Sequence, residues 1–302
     1  MNPHRDTVVP ITAHAPNAAP VGEPLLDVAH LEVSFDSYER GLRRRRVTPV
    51  RDMSLEVRAG ELVALVGASG AGKSLLGHAV LAMLPPNAAS TGTISWRGEP
   101  LDASARRALA GREVALLPQS LSHLDPTATV GSQVRRAARL AGHSRRAART
   151  VAREALTARG LAEDVASRYP HQLSGGMGRR VLAAAALIGE PSLVIADEPT
   201  PGLPAADVAA TLGHLRDLAT AGTGVLLITH EISGALTVAD RVVVVEAGRT
   251  VESVGVEAFV GDGQRLHHPY TRDLWQALPA NGFRMPHDHT GVAALATPTM
   301  GA

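Results

Sequence analysis

The sequence predicts an α/β fold built around a mainly parallel sheet. Short, continuously apolar runs alternate with Ala- and Arg-rich helical segments, as expected when strands are buried on both faces of a parallel sheet. The first such run, residues 61–66, leads directly into a glycine-rich turn and a predicted helix. With 302 residues, of which 45% are hydrophobic, the chain is long enough to bury a sizeable core.

The N-terminal part is predicted to change from a tail into a β-rich stretch. Residues 1–24 are rich in Pro, Ala and Asn without periodicity, which is typical of disorder. Apolar and polar residues alternate at 31–35 and 53–57, so we expect strands there. The arginine run 43–46 between them is predicted to be a solvated loop, with a basic contact patch as the alternative.

The rest of the chain supplies the sheet and its helices. A helix is expected from Gly72 to about Leu84, where Pro85 and Pro86 stop it. Further buried strands are predicted at 114–117, 193–196, 225–229 and 242–245.

Residues 120–172 contain no convincing strand and are predicted to be a helical insert. We expect its arginines to form a solvated helix face. They are Arg135, Arg136, Arg139, Arg145, Arg146, Arg149 and Arg153.

Composition excludes several classes of protein. The formal net charge of +1 gives no electrostatic case for nucleic-acid binding. The absence of cysteine excludes disulfides, thiolate metal sites and iron–sulfur clusters. The N-terminus has no continuous apolar segment that would indicate a signal peptide. The longest apolar runs, such as 181–188, are far shorter than the roughly 20 residues that a membrane helix needs.

Residues 67–74, GASGAGKS, match the phosphate-loop pattern G-x-x-x-x-G-K-[ST]. The pattern assigns phosphate binding to Gly67, Ala68, Ser69, Gly70, Ala71, Gly72, Lys73 and Ser74. Backbone N–H groups would surround phosphate oxygens, Lys73 would reach the β- and γ-phosphates, and the Ser74 hydroxyl would bind Mg²⁺. Lys73 is the only lysine beside 29 arginines, which indicates a site that needs a compact ammonium.

A second part of the predicted site is the segment 192–198, SLVIADE, an apolar strand that ends in two carboxylates. Asp197 is expected to hold Mg²⁺ through water. Adjacent residues at a strand end point in different directions, so Glu198 is free to polarise the attacking water.

Two more polar residues follow predicted strands. Gln119 comes after 114–117 and could contact Mg²⁺ or water, and His230 comes after 225–229 and could hydrogen-bond the γ-phosphate. Each alone could be a satisfied polar residue at a strand end. Because the ends of parallel strands converge on one crevice, we expect both to join the site.

Residues 172–180, QLSGGMGRR, have the form of a further anion site, with a small polar residue and two glycines before a helix. Together with GASGAGKS, Gln119, LVIADEPT and His230, this segment resembles the nucleotide-binding subunit of ATP-binding cassette (ABC) transporters. The resemblance covers residues 25–278. It implies an ABC-type α/β fold with a mainly parallel core sheet, an antiparallel β subdomain and a helical signature subdomain.

The resemblance also implies a site and a domain plan. In this family two cassettes meet head to tail, so Ser174, Gly175 and Gly176 would contact ATP held by a partner. Phe35 lies where the family has its adenine-stacking aromatic, with an inward strand residue or a role for Tyr38 as alternatives. The expected domains are an ATPase domain at 25–262, with its helical subdomain at about 120–190, and a C-terminal extension at 263–302, of which roughly the last 20 residues are expected to be disordered.

Three segments are similar to the oligopeptide, dipeptide and nickel importers: LPQ at 117–119 with LDP at 124–126, YPHQLSGGM at 169–177, and HPYTR at 268–272 with ALP at 277–279. GKSL at 72–75 is closer to the nickel type. The resemblance implies an ATPase with ATP and Mg²⁺ as ligands. It implies a second, non-identical ATPase subunit, two permeases, an extracytoplasmic binding protein and a place on the cytoplasmic face of the membrane.

The chain departs from the family pattern at two places. Where the family has a small-Ala-Leu-Asp turn, residues 201–204 read PGLP, so Pro204 replaces the aspartate that helps to link the two ATP sites. After Met177, the usual x-Gln-Arg becomes Gly178, Arg179 and Arg180.

Three alternatives remain open at this stage. A soluble ABC ATPase of translation or DNA maintenance would carry two cassettes or coiled-coil arms. A P-loop kinase or GTPase would have no use for LSGGM. A degenerate cassette would bind ATP and regulate its partner, although Lys73, Asp197, Glu198 and His230 are all present here.

Overall fold

A computed structural model describes residues 24–38 and 44–281. One compact unit extends as far as Glu257, and the described residues from Ala258 onward belong to a second unit. Residues 1–23 of the predicted tail, and all of the roughly 20 C-terminal residues predicted to be disordered, lie outside the described residues.

The strands are β1 (Leu26–Tyr38), β2 (Arg44–Val57), β3 (Leu62–Val66), β4 (Ala88–Trp96), β5 (Glu99–Pro100), β6 (Val114–Leu117), β7 (Leu193–Asp197), β8 (Gly224–Thr229), β9 (Arg241–Glu246) and β10 (Arg249–Gly255).

The helices are α1 (Lys73–Val80), α2 (Ala103–Leu109), α3 (Val130–Leu140), α4 (Arg145–Ala158), α5 (Gly175–Leu187), α6 (Ala205–Thr220), α7 (Ile232–Leu236) and α8 (Pro269–Gln276). Short 3-10 turns lie at Leu121–His123, Glu163–Ser167, Pro170–Gln172, Val256–Ala258 and Pro279–Asn281.

Within the described residues, the strands form one sheet in the order β5-β4-β1-β2-β10-β9-β3-β8-β7-β6. Strands β9, β3, β8, β7 and β6 run parallel to one another, while β1 pairs antiparallel with β2 and β4. Strands β3, β7 and β8 are buried along their whole length. The predicted α/β fold, with a mainly parallel core and an antiparallel part, is confirmed.

The strands predicted from apolar runs are found almost at their predicted bounds. The helix predicted to reach Leu84 is wrong at its end, since α1 stops at Val80. Ala82 adopts φ = 52°, in the left-handed region, and the Met83 amide donates to the His78 carbonyl 2.8 Å away. This backbone cap ends the helix before the two prolines are reached.

The prediction of a loop at 43–46 is wrong for the residues that the structure describes. Arg45 and Arg46 belong to β2 and pair across the ladder with Ser37 and Asp36. The Arg46 guanidinium lies 3.2 Å from the Asp36 carboxylate. The strand is favoured because it matches charges across the ladder, which a single-strand pattern does not reveal. Arg43 lies outside the described residues.

The helical insert is confirmed between residues 120 and 172. Its helices α3 and α4 pack against α5 around a separate apolar cluster that includes Val134, Leu156 and Val181. Ser144 caps α4 by accepting the Ala147 amide, 3.2 Å away. Of the predicted arginine face, Arg136, Arg139, Arg145, Arg146, Arg149 and Arg153 are exposed, and Arg135 is half-buried.

The second unit has its own internal contacts. Trp275 on α8 packs edge-to-face against Phe259, with ring centroids 5.7 Å apart. Its indole N–H donates to the Gly261 carbonyl 3.0 Å away.

Among the helices that the structure describes, none combines the length and the apolar content needed to cross a bilayer.

Candidate functional site

The phosphate-loop segment forms a tight turn between β3 and α1. Gly67, Gly70 and Gly72 have φ values of 157°, 82° and 91°, which only glycine adopts readily. A side chain at Gly67 would collide with the Val245 carbonyl, and one at Gly72 would collide with Val50. The turn therefore exists because these positions lack a Cβ atom.

The Lys73 ammonium lies inside this turn. Its Nζ atom donates to the Gly67 carbonyl at 2.9 Å and to the Ala68 carbonyl at 3.1 Å. Burial lowers the pKa of Lys73, and the charges of Glu198 and Asp197 act in the opposite direction. An ammonium held in this way can exchange carbonyl oxygens for phosphate oxygens without a large movement.

Ser74 and Asp197 form a pair of hard oxygen ligands. The Ser74 hydroxyl donates to the Asp197 Oδ1 atom at 2.8 Å, although 123 residues separate them in the chain. Burial raises the pKa of Asp197, while the Ser74 hydrogen bond and the neighbouring His78 lower it. A hydroxyl beside a buried carboxylate suits Mg²⁺, which prefers oxygen ligands, so the residues present fit this ion.

Glu198 and His230 are in direct contact. The His230 Nδ1 atom lies 2.8 Å from Oε1 and 2.9 Å from Oε2 of Glu198. The Glu198 amide donates to the Ile228 carbonyl of β8 at 2.8 Å. Glu198 has φ = 46°, an unfavourable value for a residue that precedes proline, so its surroundings must hold it in place.

The sheet brings these groups together. Strand β3 lies beside β8, which lies beside β7, with Val66 paired to Thr229 and Asp197 paired to Ile228. The turn that follows β3, the carboxylates that end β7 and the imidazole that follows β8 therefore share one edge. This is the crevice expected at the carboxyl ends of parallel strands.

Gln119 lies close to this edge of the sheet but is not hydrogen-bonded to the other site residues. It lies two residues beyond Leu117, which pairs with Ala196 immediately before Asp197. Its side chain is exposed, and among the described residues it makes no hydrogen bond. The role predicted for Gln119 stays a prediction.

The signature segment, QLSGGMGRR at residues 172–180, includes the start of α5. Ser174 caps this helix by accepting the Met177 amide at 3.3 Å. Ser174, Gly175 and Gly176 are exposed, and a Cβ atom at either glycine would meet open space. Within the described chain, no hydrogen bond joins these residues to Lys73, Ser74 or Asp197.

Phe35 lies on β1, near the phosphate-loop turn. Its strand neighbour Val33 pairs with Val50, the residue that contacts the Gly72 position. Phe35 is partly buried against the apolar core, as its alternative role of inward strand residue requires. Its role in stacking adenine stays a prediction, and the Tyr38 side chain lies outside the described part of the chain.

Known proteins identify the family. The sequence pattern described as "ABC transporter" matches residues 50–201, half of the chain. The chain belongs to the ABC transporter family. It is an ATP-binding subunit that hydrolyses ATP, as the resemblance predicted.

The relatives of this ABC subunit cover most of its length. A Brucella melitensis protein named as a peptide import ATP-binding protein is 36% identical over 275 residues, which are 86% of this chain and 79% of the relative. A Bacillus subtilis dipeptide transport ATP-binding protein is 34% identical over 85% of this chain and 77% of the relative. A solved ATP-binding subunit of an ABC transporter is 28% identical with a TM-score of 0.62, and covers 78% of this chain and 91% of that one.

Three contacts of this ABC subunit were not anticipated from the sequence. His78, four residues after Ser74 on α1, acts on Asp197 electrostatically. The Thr229 hydroxyl lies 3.5 Å from the Glu198 carboxylate. Arg179 on α5 donates to the Pro199 and Pro201 carbonyls in the loop after Glu198. Only Arg179 had a sequence signal, because it departs from the family pattern.

Proposed function

We propose that this subunit powers the uptake of short peptides by an ABC importer. The cargo class is taken from the relatives, whose names specify peptide import and dipeptide transport. The observation that carries the chemistry is the convergence of Lys73, Ser74, Asp197, Glu198 and His230 at the ends of adjacent strands. We also propose the domain plan of an ATPase domain at 25–262 and an extension at 263–302.

Each residue of this site has a separate proposed role in phosphoryl transfer to water. The turn at 67–74 binds the phosphates, and Lys73 stabilises charge on the β- and γ-oxygens. Ser74 and Asp197, joined by Gln119, would hold Mg²⁺, whose charge stabilises the transferring phosphoryl group when it is bound. Glu198 accepts a proton from the attacking water, and His230 stabilises the γ-phosphate oxygens.

A second cassette completes each site in this proposal. Ser174, Gly175 and Gly176 would donate to the γ-phosphate of ATP bound on the partner. Their exposure and the N-terminal position on α5 support this role, because the first turn of a helix presents free N–H groups to an anion. Binding of ATP would therefore draw two cassettes together, and hydrolysis would release them.

The remaining partners are proposed from the family. They are a non-identical second ATPase subunit, two transmembrane permeases and an extracytoplasmic binding protein. The helical insert would grip a permease loop on the cytoplasmic face of the membrane and would move as the cassettes close. Nucleic acid is not among the proposed partners.

The test measures ATP hydrolysis by the assembled complex with Glu198→Gln in this subunit alone. Turnover should fall about 100-fold or more if this site is productive. Unchanged turnover would instead favour the alternative, a cassette that binds ATP and regulates its partner. The cargo is tested separately, by measuring the affinity of the cognate binding protein for dipeptides, oligopeptides, nickel and nickel chelates.

A further inference from the structure

The loop after Glu198 has too few backbone donors for its carbonyls. Residues 199–204 read PTPGLP, so three of the six residues are prolines without an N–H group. The Leu203 amide donates to the Thr200 carbonyl at 3.1 Å. A loop of this composition needs donors from elsewhere, since unpaired carbonyls are costly when they are shielded from water.

Arg179 on α5 supplies these donors. Its Nη1 atom donates to the Pro199 carbonyl at 2.6 Å, and its Nη2 atom donates to the Pro201 carbonyl at 2.5 Å. A guanidinium can bridge two separate carbonyls because its N–H groups form a rigid planar fork. The glutamine that the family has here carries a single amide nitrogen on a shorter side chain, so it does not offer the same bridge.

The bridge ends one residue from Glu198. That residue combines φ = 46° with a following proline, a backbone state that neighbouring contacts must maintain. Its amide is fixed by Ile228 and its carboxylate contacts His230. The hydrogen bond from Arg179 to Pro199 restrains the chain on the remaining side, directly after Glu198.

Arg179 also lies on α5, which begins within the signature segment and is called the signature helix below. It is three residues after Gly176, on the same face and one turn along α5. Beside it, a cavity of about 560 Å³ separates parts of α5 from α6, with Leu182, Leu203 and Thr211 in its walls. The guanidinium therefore lies at the edge of an open space and joins α5 to the loop by two hydrogen bonds.

We propose that Arg179 is a positioning residue that couples the signature helix to Glu198. Movement of α5, when its first turn engages a partner's nucleotide, is transmitted through the guanidinium to the Pro199 and Pro201 carbonyls. This inference rests on the proposed roles of Glu198 and the signature segment.

The experiment compares Arg179→Gln, Arg107→Gln and Glu198→Gln in the full-length chain assembled with its partner subunits. Arg107 is an exposed arginine of α2 whose side chain makes no hydrogen bond or ion pair among the described residues, and it serves as the matched control. Arg179→Gln should lower kcat about tenfold or more, because small displacements of a reacting group are costly. The KM for ATP should stay within about twofold, and Arg107→Gln should leave both values unchanged. Arg179→Lys should restore kcat only in part, since one ammonium nitrogen replaces the two guanidinium nitrogens that donate to different carbonyls.

Two further readouts separate positioning from stability. If Arg179 acts through Glu198, the double variant should be no slower than Glu198→Gln alone in single-turnover assays. In the full-length chain alone, the Leu203 amide, which donates to the Thr200 carbonyl, should exchange hydrogen faster after Arg179→Gln. The proposal would be overturned if the losses of rate in the two single variants multiply in the double variant. It would also be overturned if Arg179→Gln changes neither kcat nor the hydrogen exchange.

The Glu198→Gln variant separates a failure of the proposed function from a failure of the role of Arg179. Full turnover by Glu198→Gln would remove the proposed role of Glu198, and the inference with it. If the Glu198→Gln variant is inactive and the separate Arg179→Gln variant has a normal kcat, only the role of Arg179 is overturned.

Discussion

The imidazole of His230 contacts both carboxylate oxygens of Glu198, with Nδ1 at 2.8 Å from Oε1 and 2.9 Å from Oε2. An ionised carboxylate can only accept, so the proton of this hydrogen bond belongs to Nδ1. The Nε2 atom, on the opposite side of a half-exposed ring, is left to face a ligand. The pair therefore holds the imidazole in one orientation toward the strand-end crevice.

The first prediction concerns this pair. His230→Ala should lower kcat of the assembled complex about 100-fold or more, because a preorganised group near the γ-phosphate is lost. ATP affinity of the isolated subunit, measured by calorimetry, should change by less than about threefold. His171→Ala, at an exposed histidine, is the control. A complex that keeps full turnover without His230 would contradict the prediction.

The second prediction concerns the signature segment. Ser174→Arg should leave ATP binding by the isolated subunit unchanged while reducing ATPase activity of the assembled pair to near background. The physical reason is that an arginine at the N-cap of α5 blocks the approach of a partner's nucleotide and leaves the turn at 67–74 unchanged. Ser104→Arg on α2, also at an exposed serine, should have no effect on either quantity. Weakened ATP binding by the isolated Ser174 variant would argue against a role in trans.

The third prediction separates stability from activity at Asp197. Burial raises the pKa of this carboxyl in the folded state, so ionised Asp197 opposes folding near neutral pH. Asp197→Asn keeps an acceptor for Ser74 and removes the charge. It should raise the Tm of the nucleotide-free protein, by about 2–4 °C for each 1 kcal/mol gained, and abolish Mg²⁺-dependent hydrolysis.

The control for this prediction is Asp217→Asn, at an exposed aspartate of α6. It should change Tm by less than the Asp197 variant and should leave hydrolysis intact. A lower Tm for Asp197→Asn would show that the ionised carboxylate stabilises the empty fold, contrary to the expected sign.

The fourth prediction concerns pH and His214. Burial, and then the charge of Arg159, lower the pKa of His214 below its ordinary value of 6.5. Its Nε2 atom lies 3.1 Å from Arg159 Nη1, so the neutral ring accepts this hydrogen bond. The unfolded chain binds the proton more readily, so the free energy of unfolding should fall as pH drops below about 6.5 toward the folded-state pKa.

His214→Gln should flatten this dependence, because an amide oxygen can still accept from Arg159 but does not titrate. Denaturant unfolding at a series of pH values from 5 to 8 measures the effect. An unchanged pH profile in the variant would show that other groups control stability in this range.

The local patterns of the chain were sufficient for much of the fold and for the identity of the site. Runs such as 193–196 and 225–229 predicted buried strands because their apolar character does not depend on their neighbours. Strand β4 was missed because its middle, Ser90 to Thr93, is polar and exposed. This middle part is held in a strand by its ladder with β1.

Residues that are close together in the chain carry chemistry that can be predicted without the fold. The spacing of GASGAGKS fixes a turn that only glycines can form, and SLVIADE places two carboxylates at a strand end. Which distant groups meet depends on the folded chain: Ser74 with Asp197, Glu198 with His230, and Arg179 with the Pro199 carbonyl. The physical reason is that strand order and helix packing set these contacts, and neither is encoded in the spacing of any one segment.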